Sequence, residues 1–211
     1  MNKITLVLLS YVFALTLSAQ NAIDSTKVKT NPIIYSSVLL GGSGSNEIQG
    51  ITFSFDINYQ FNKNLFTLRS LFIAERNKDV NLFSAILVVP IFIGGDSMNE
   101  NSLLFGQRFI FNGSALSISA GISSNLIHYS HIDENNMKIA FEDYYVGVPF
   151  EITFNVFKGE KARYRILYGL IPIGRPTSFG RHFGIKLYGN LGRFNYFGAG
   201  ITLGLGWHKK Y

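Results

Sequence analysis

Three residues near the middle of the chain have the side-chain types that acyl-transfer chemistry needs. His128 and Ser130 are separated by one residue, and Glu142 follows on the C-terminal side. A serine hydroxyl becomes nucleophilic beside a base, and an acidic partner holds an imidazole base in one tautomer. The three residue types are therefore chemically compatible with acyl transfer. The alternative is that residues 128–131 are solvated loop residues, since short motifs often arise by chance.

The same segment contains side chains that could bind a metal. His128 and His131 lie close in sequence to Asp133 and Glu134, and zinc accepts all of these ligand types. The chain has only four His and no Cys. We expect no metal and no cofactor, and no pair of carboxylates is fixed across a cleft as glycoside hydrolysis would require.

Long alternating segments must position these residues. From Tyr144 to Phe157, large apolar residues alternate with small or polar residues, and the segments 51–61 and 197–208 repeat the pattern. A period of two is typical of a β-strand with two unlike faces. Long strands that are apolar on one face and polar on the other are what a membrane-spanning barrel requires.

The polar faces of these segments carry charged side chains, which we expect to fill a narrow barrel interior and to pair there, because an isolated buried charge is costly. In particular, Arg165 is predicted to lie on the strand beside that of Glu151, facing it. The predicted interior polar network is Asp56, Arg108, Glu151, Arg165 and Lys186. The aromatic residues predicted to lie at the membrane interface are Tyr144, Phe157, Tyr196 and Trp207.

The strand count is open between eight and ten. Ten candidate strands can be counted, with loops at residues 94–102 and 128–137. Short turns normally lie on the periplasmic side. If the short turn at residues 191–193 is periplasmic as well, the last strand ends outside the cell, and the C-terminus with it. The competing interpretation is an eight-stranded barrel with part of residues 181–193 in a loop hairpin. Residues 82–93 are apolar on both faces, which indicates either a packed interior or a groove for an apolar ligand.

The N-terminus has the pattern of a secretory signal. Lys3 precedes an apolar run from Ile4 to Leu17, and Ser18 and Ala19 supply a small-residue cleavage site. The apolar run is shorter than the roughly 20 residues of a membrane-spanning helix. The predicted organisation is a signal peptide at 1–19, a periplasmic lead-in at 20–32 and an outer-membrane β-barrel at 33–211.

The formal net charge is +6. Nucleic acid is a poor partner for an exported chain, whereas outer-membrane lipid and lipopolysaccharide are compatible with a mildly basic surface. A basic excess of this size is also common without a specific anionic ligand. We expect a monomer that reaches the outer membrane of a Gram-negative cell.

One stretch resembles a known family of barrels. Tyr144, Val148 and Pro149 precede an apolar run to Phe157, a charged turn at residues 158–161 and an aromatic strand at residues 164–169. This arrangement resembles the small Gram-negative outer-membrane β-barrel family of OmpA/OmpX-like architecture. The last strand, with Trp207 and the terminal Tyr211, is similar to the signal that barrel-assembly machinery reads, although residues 208–210 depart from the usual pattern. The resemblance implies an all-β, antiparallel, up-and-down transmembrane barrel.

A shorter resemblance concerns the candidate site. His128, Tyr129 and Ser130 resemble the His-x-Ser motif of outer-membrane lipid A deacylases, and Glu142 lies near that family's spacing. His131 replaces the asparagine that this family has after the serine. The leading expectation is a non-enzymatic barrel with a structural, adhesive or binding role through its loops. The alternatives are a lipid A deacylase-like esterase using Ser130, His128 and Glu142, binding or passage of a small apolar ligand, and a soluble lipocalin-like barrel.

Overall fold

The chain forms ten antiparallel β-strands in the part that the structure describes. The structure is a computed structural model that describes residues 32–44, 49–75, 96–132, 138–160, 162–166, 171–177 and 179–209. The strands are β1 (Ile33–Gly44), β2 (Gln49–Phe61), β3 (Asn64–Glu75), β4 (Ser97–Ile110), β5 (Ser114–Ile132), β6 (Lys138–Phe157), β7 (Ala162–Ile166), β8 (Ile171–Thr177), β9 (Phe179–Leu191) and β10 (Tyr196–Trp207).

Eight of these strands close into a barrel. The order around the wall is β1, β2, β3, β4, β5, β6, β9 and β10, and β10 pairs with β1 to complete it. β7 and β8 pair only with each other, in a separate two-stranded sheet. Where a strand has a partner on both sides, within the closed wall, its backbone groups are satisfied and there is no open edge. The predicted all-β antiparallel barrel is confirmed, with eight strands in the wall.

Strict alternation of side chains separates an inner face from an outer face. Along β2, every second residue from Thr52 to Gln60 is buried, while Phe53, Phe55 and Ile57 between them are exposed. A pleated strand sends successive side chains to opposite faces, so the period of two in the sequence becomes the inside and outside of the barrel.

The two ends of the barrel differ in their connections. At the end that we call the terminus end, β1 begins and β10 stops, and tight turns join β2 to β3 and β4 to β5. Asn62 and Gly113 have positive φ values of 56° and 80° in these turns, a conformation that asparagine and glycine tolerate best. At the opposite end, the loop end, β5 and β6 pair as far as Ile132 and Lys138.

Two predicted loops are largely strand. Residues 97–102 belong to β4, and residues 128–132 belong to β5, so both predictions were wrong at these positions. The ladder of backbone hydrogen bonds continues there from Ser97 opposite His128 to Ile132 opposite Lys138. Polar residues can extend a hairpin whenever the partner strand continues, because the pairing itself needs no apolar face.

The predicted loop hairpin is in a different place. Residues 181–191 lie in β9, which pairs with β6 and β10 in the barrel wall, so the proposal that part of 181–193 forms a loop hairpin was wrong. The excursion is instead β7 and β8. The short turn between β9 and β10 lies at the loop end, opposite the turns after β2 and β4, so the expectation that it shares their side was wrong, and both termini of the barrel lie at the terminus end.

Several predictions fall outside the described residues. These are the signal peptide, most of the lead-in and the apolar segment 82–93. The described part of the chain contains no helix long and apolar enough to cross a membrane.

Candidate functional site

A chain of five charged side chains crosses the middle of the barrel interior. Arg69 of β3 lies between two carboxylates, with Nη2 2.6 Å from Glu100 Oε1 and Nη1 3.2 Å from Glu151 Oε2. Lys186 of β9 also lies between two carboxylates, with its Nζ 2.9 Å from Glu151 Oε2 and 2.6 Å from Asp56 Oδ2. All five residues are buried. The cluster therefore ties β2, β3, β4, β6 and β9 together across the lumen.

Neutral side chains complete the hydrogen bonding of the two end carboxylates. The hydroxyls of Ser37 and Ser54 donate to Asp56 at 3.1 and 3.2 Å. The Tyr196 hydroxyl and the Asn190 amide each donate to Glu100 Oε2 at 2.5 Å. Buried charges are tolerated when paired and hydrogen-bonded in this way.

Arg108 is placed apart from this cluster, nearer the terminus end. Its Nη1 donates to Gln60 Oε1 at 2.9 Å and to the His208 carbonyl at 3.0 Å. Its guanidinium lies 4.9 Å from the Tyr35 ring centroid and 5.6 Å from that of Phe157, distances at which a cation is attracted to an aromatic face. Counting Arg108, the buried interior among described residues has three cationic Lys or Arg and three carboxylates, so its formal charge balances.

The sequence-based network differs from this interior in three residues. Arg165 lies in β7, which pairs with β8, whereas the neighbours of β6 are β5 and β9. The prediction that Arg165 faces Glu151 inside the barrel was therefore wrong. The cation that contacts Glu151 from the neighbouring strand is Lys186 of β9. Arg69 and Glu100 were missed. Arg69 has the inward parity of β3 and was detectable, whereas Glu100 lay in a segment expected to be a loop.

The predicted interface aromatics divide by parity. Tyr144 and Trp207 lie on the outer face, with 70% and 42% of their surface exposed. Phe157 and Tyr196 are buried inside the barrel, so the prediction for these two was wrong. The residue next to each of them in the strand, Val156 or Phe197, faces outward instead. Alternation along the strand therefore decides the face, whatever the side-chain type.

An apolar and aromatic cluster fills the interior on the loop-end side of the charges. Tyr145 lies at its centre, and its hydroxyl is 3.5 Å from the Met98 sulfur and donates to the Phe194 carbonyl at 3.2 Å. The buried members are Leu39, Leu71, Ile73, Met98, Ile127, Tyr145, Tyr188 and Tyr196. The charged layer and this cluster together occupy successive levels of the lumen.

Two residues of the candidate esterase site, His128 and Glu142, lie at the loop end, on the outer face. His128 and Glu142 are directly opposite in the β5–β6 ladder, and His128 Nδ1 is 3.0 Å from Glu142 Oε1. Their side chains are 39% and 59% exposed. Ser130 lies two residues beyond His128 in β5, with its backbone opposite Ala140. The pair can orient an imidazole as an acyl-transfer base requires.

The described residues contain no group of three His, Cys, Asp or Glu side chains that could hold a metal ion. The side chains of His131, Asp133 and Glu134, the other members of the sequence-based metal alternative, lie outside the described part.

The outer wall carries a concavity of about 610 Å³. Its lining includes the apolar Phe55, Leu68 and Ile122 together with the polar Asn101 and Ser124. The interior residues Arg69, Ser102 and Ser123 also contribute to its lining, so the concavity opens on the outer wall beside the charged cluster.

Comparison with known proteins identifies similar solved structures only. No protein-family model and no curated protein matches the chain. The N-terminal β-barrel domain of Pseudomonas aeruginosa OprF is 12% identical with a TM-score of 0.46, covering 83% of this chain and 99% of that one. Neisserial surface protein A is 9% identical with a TM-score of 0.48, covering 86% and 100%. Ail of Yersinia pestis, solved with the heparin analogue sucrose octasulfate, is 10% identical with a TM-score of 0.42, covering 87% and 100%.

Proposed function

We propose that this chain is an integral outer-membrane β-barrel protein, monomeric and non-enzymatic, with a closed interior and a structural, adhesive or binding role at its loop end. The observation that carries this proposal is the inverted polarity of the wall. Charged residues such as Arg69 and Glu151 are buried inside, while large apolar residues such as Phe53, Leu203 and Ile185 are exposed outside. A soluble barrel of the lipocalin kind needs the opposite arrangement, because its outer face meets water.

The exposed apolar surface encircles the wall. Each of the eight barrel strands contributes exposed large apolar residues, among them Val38 of β1, Leu103 of β4 and Ile152 of β6. A continuous apolar surface of this kind would be an aggregation hazard in water and is favourable in lipid. The outer membrane, with its lipopolysaccharide, is the proposed location, and barrel-assembly machinery is the proposed route of insertion.

The proposed closed interior follows from the filling of the lumen. The charge-balanced layer and the cluster around Tyr145 and Tyr188 occupy the space that a small eight-stranded barrel encloses. The first experiment folds the purified protein into planar bilayers and measures ion conductance. We expect no sustained conductance, and stable open channels would contradict the closed interior.

The loop end supplies the surface for an adhesive or binding role. There β5 and β6 continue as a hairpin beyond the last residue of β9 that pairs with β6, Leu191 opposite Val148. On this hairpin the side chain of Phe141 is 43% exposed and stacks on Tyr129, which itself packs against the interior cluster; the two ring centroids are 5.5 Å apart. Projecting aromatic side chains are frequent anchors in protein interfaces.

One specific contact favours a second function. The 3.0 Å contact between His128 and Glu142 is the base–acid pairing that a lipid A deacylase-like esterase would need. The groove of about 610 Å³ on the same outer face would suit an apolar chain. The test is mass spectrometry of lipid A from cells producing the wild-type protein or Ser130→Ala. Loss of an acyl chain only with the wild type would establish the esterase, and identical lipid A in both strains would exclude it.

A further inference from the structure

Most of the net positive charge of the chain is concentrated in one connection. Residues 158–181, which lead from the end of β6 through β7 and β8 to the start of β9, contain six Lys or Arg and one Glu. Their net charge is +5, against +6 for all 211 residues. The cations are Lys158, Lys161, Arg163, Arg165, Arg175 and Arg181. The remainder of the chain is therefore almost neutral.

This connection leaves and re-enters the wall at the terminus end. β6 stops at Phe157 and β9 begins at Phe179, and Phe157 lies opposite His182 in the ladder between these neighbouring strands. The two-stranded sheet of β7 and β8 lies between these points in the chain and pairs with no barrel strand. The connection is far longer than neighbouring antiparallel strands need, since a two-residue turn suffices for that purpose. The excess length thus forms a separate basic element.

The hairpin is apolar as well as basic. Ile171 and Ile173 of β8 are 47% and 46% exposed, and Arg163 of β7 is also exposed. Exposed isoleucines among cations are unfavourable in water but suited to the boundary between lipid headgroups and acyl chains, where both kinds of side chain find partners.

The wall has an aromatic border where the hairpin is attached. Trp207, at the end of β10, is on the outer face, and its ring centroid lies 5.1 Å from that of Phe179, the first residue of β9. Aromatic girdles mark the membrane interface in outer-membrane barrels. The polypeptide therefore leaves the hairpin, at Phe179, beside an outward-facing aromatic residue of the wall, at the level where headgroups of the adjacent leaflet begin.

From these observations we propose that the β7–β8 hairpin binds the anionic phospholipid headgroups of the leaflet at the terminus end. The inference rests on the proposed membrane-spanning function, because it takes the apolar wall as the part in the bilayer. The cations supply attraction to anionic headgroups, and the isoleucines contact the apolar region just below them. A soluble acidic polymer would use the charges but would leave the isoleucines exposed to water.

The test uses a fluorophore placed on the hairpin. The chain contains no cysteine, so Ile173→Cys can be labelled at one site with an environment-sensitive dye. The labelled protein is folded into vesicles of phosphatidylcholine alone, or of phosphatidylcholine mixed with phosphatidylglycerol. We expect a blue shift of emission only in the mixed vesicles. The shift should reverse in about 1 M salt, where the Debye length is about 3 Å.

Charge variants test whether docking depends on the cations of the hairpin connection or on the positive charge of the protein in general. Replacing Lys158, Arg163 and Arg181, three exposed cations of this connection, together by Gln should weaken docking by about 100-fold, at about fivefold per cation near an anionic surface. The matched control replaces three cations at or beyond the loop-end termini of strands, with Arg76→Gln, Lys78→Gln and Lys138→Gln. The control should retain the full blue shift.

The outcomes distinguish this inference from the proposed function. Folding into vesicles is checked first by heat-dependent electrophoretic mobility, and failure to insert would refute the membrane-spanning function itself. In folded protein, equal emission in both kinds of vesicle, or a shift that survives the three substitutions in the connection, would overturn the lipid-binding inference. A blue shift produced by polyglutamate in phosphatidylcholine vesicles, without phosphatidylglycerol, would assign the hairpin to a soluble polyanion instead.

Discussion

The interior cluster and the His128–Glu142 pair both join basic and acidic side chains at hydrogen-bond distance, but they lie on opposite faces of the wall. Inside, Arg69 and Lys186 share Glu151 and are almost fully buried. At the loop end, His128 and Glu142 are 39% and 59% exposed and have water as an alternative partner. Removing one partner of a buried pair strongly destabilises a protein, whereas removing one partner of an exposed pair has little effect on stability. The interior cluster is therefore suited to stabilising the barrel and filling its lumen. The exposed pair contributes little to stability and is accessible to molecules at the surface.

The largest expected effect comes from removing the shared carboxylate. Glu151→Ala leaves Arg69 and Lys186 each with one partner fewer and the interior with an unbalanced positive charge. We expect the free energy of unfolding to fall by about 3–5 kcal/mol, as for other broken buried pairs. The measurement is urea unfolding in lipid vesicles, followed by the fluorescence of Trp207, the single tryptophan. Glu142→Ala is the exposed control, and similar losses for both variants would remove the distinction between the two regions.

An intermediate effect is expected from removing one neutral donor to the cluster. Tyr196→Phe deletes the hydroxyl that donates to Glu100 Oε2 at 2.5 Å. A hydrogen bond to a charged group contributes about 1.5–3 kcal/mol, and we expect a loss in that range. Tyr188→Phe is the matched control, because its hydroxyl donates to the neutral Gly42 carbonyl at 3.2 Å. A control loss equal to or larger than that of Tyr196→Phe would show that the charge on Glu100 adds nothing.

The smallest expected effect is at the exposed pair. Glu142→Gln should change the free energy of unfolding by less than about 1 kcal/mol, because solvent and salt screen exposed pairs. The same urea titration at low and high salt measures it, and any low-salt difference should disappear when salt is added. A loss comparable with that of Glu151→Ala would mean that the pair holds the β5–β6 hairpin in place.

Alternation in the sequence predicted the wall correctly because it reflects a local property of strands. Each residue of a pleated strand faces away from its neighbours, so Asp56, Glu151 and Lys186 could be assigned to the inner face without any knowledge of their partners. The same alternation places Phe157 and Tyr196 on the inner face. The prediction that both lie at the membrane interface was wrong because position in the alternation, and not aromatic character, decides which face a side chain takes.

Pairing between distant strands could not be predicted from the sequence. The sequences of β7 and β9 both alternate, yet only β9 joins the wall, where its ladders with β6 and β10 extend over most of its length. Glu100 was missed for a related reason. Its strand is defined by its neighbours β3 and β5, since the polar residues 97–102 show no apolar alternation of their own.

The sequence by itself therefore determined the class of fold, the two unlike faces of the wall and the basic character of residues 158–181, because side-chain order and charge are local properties. Only the tertiary structure decided which strands close the barrel, that Glu100 joins the interior charges and pairs with Arg69, and that His128 meets Glu142 on the outer face. These features depend on contacts between residues far apart in the chain, and local patterns do not encode such contacts uniquely.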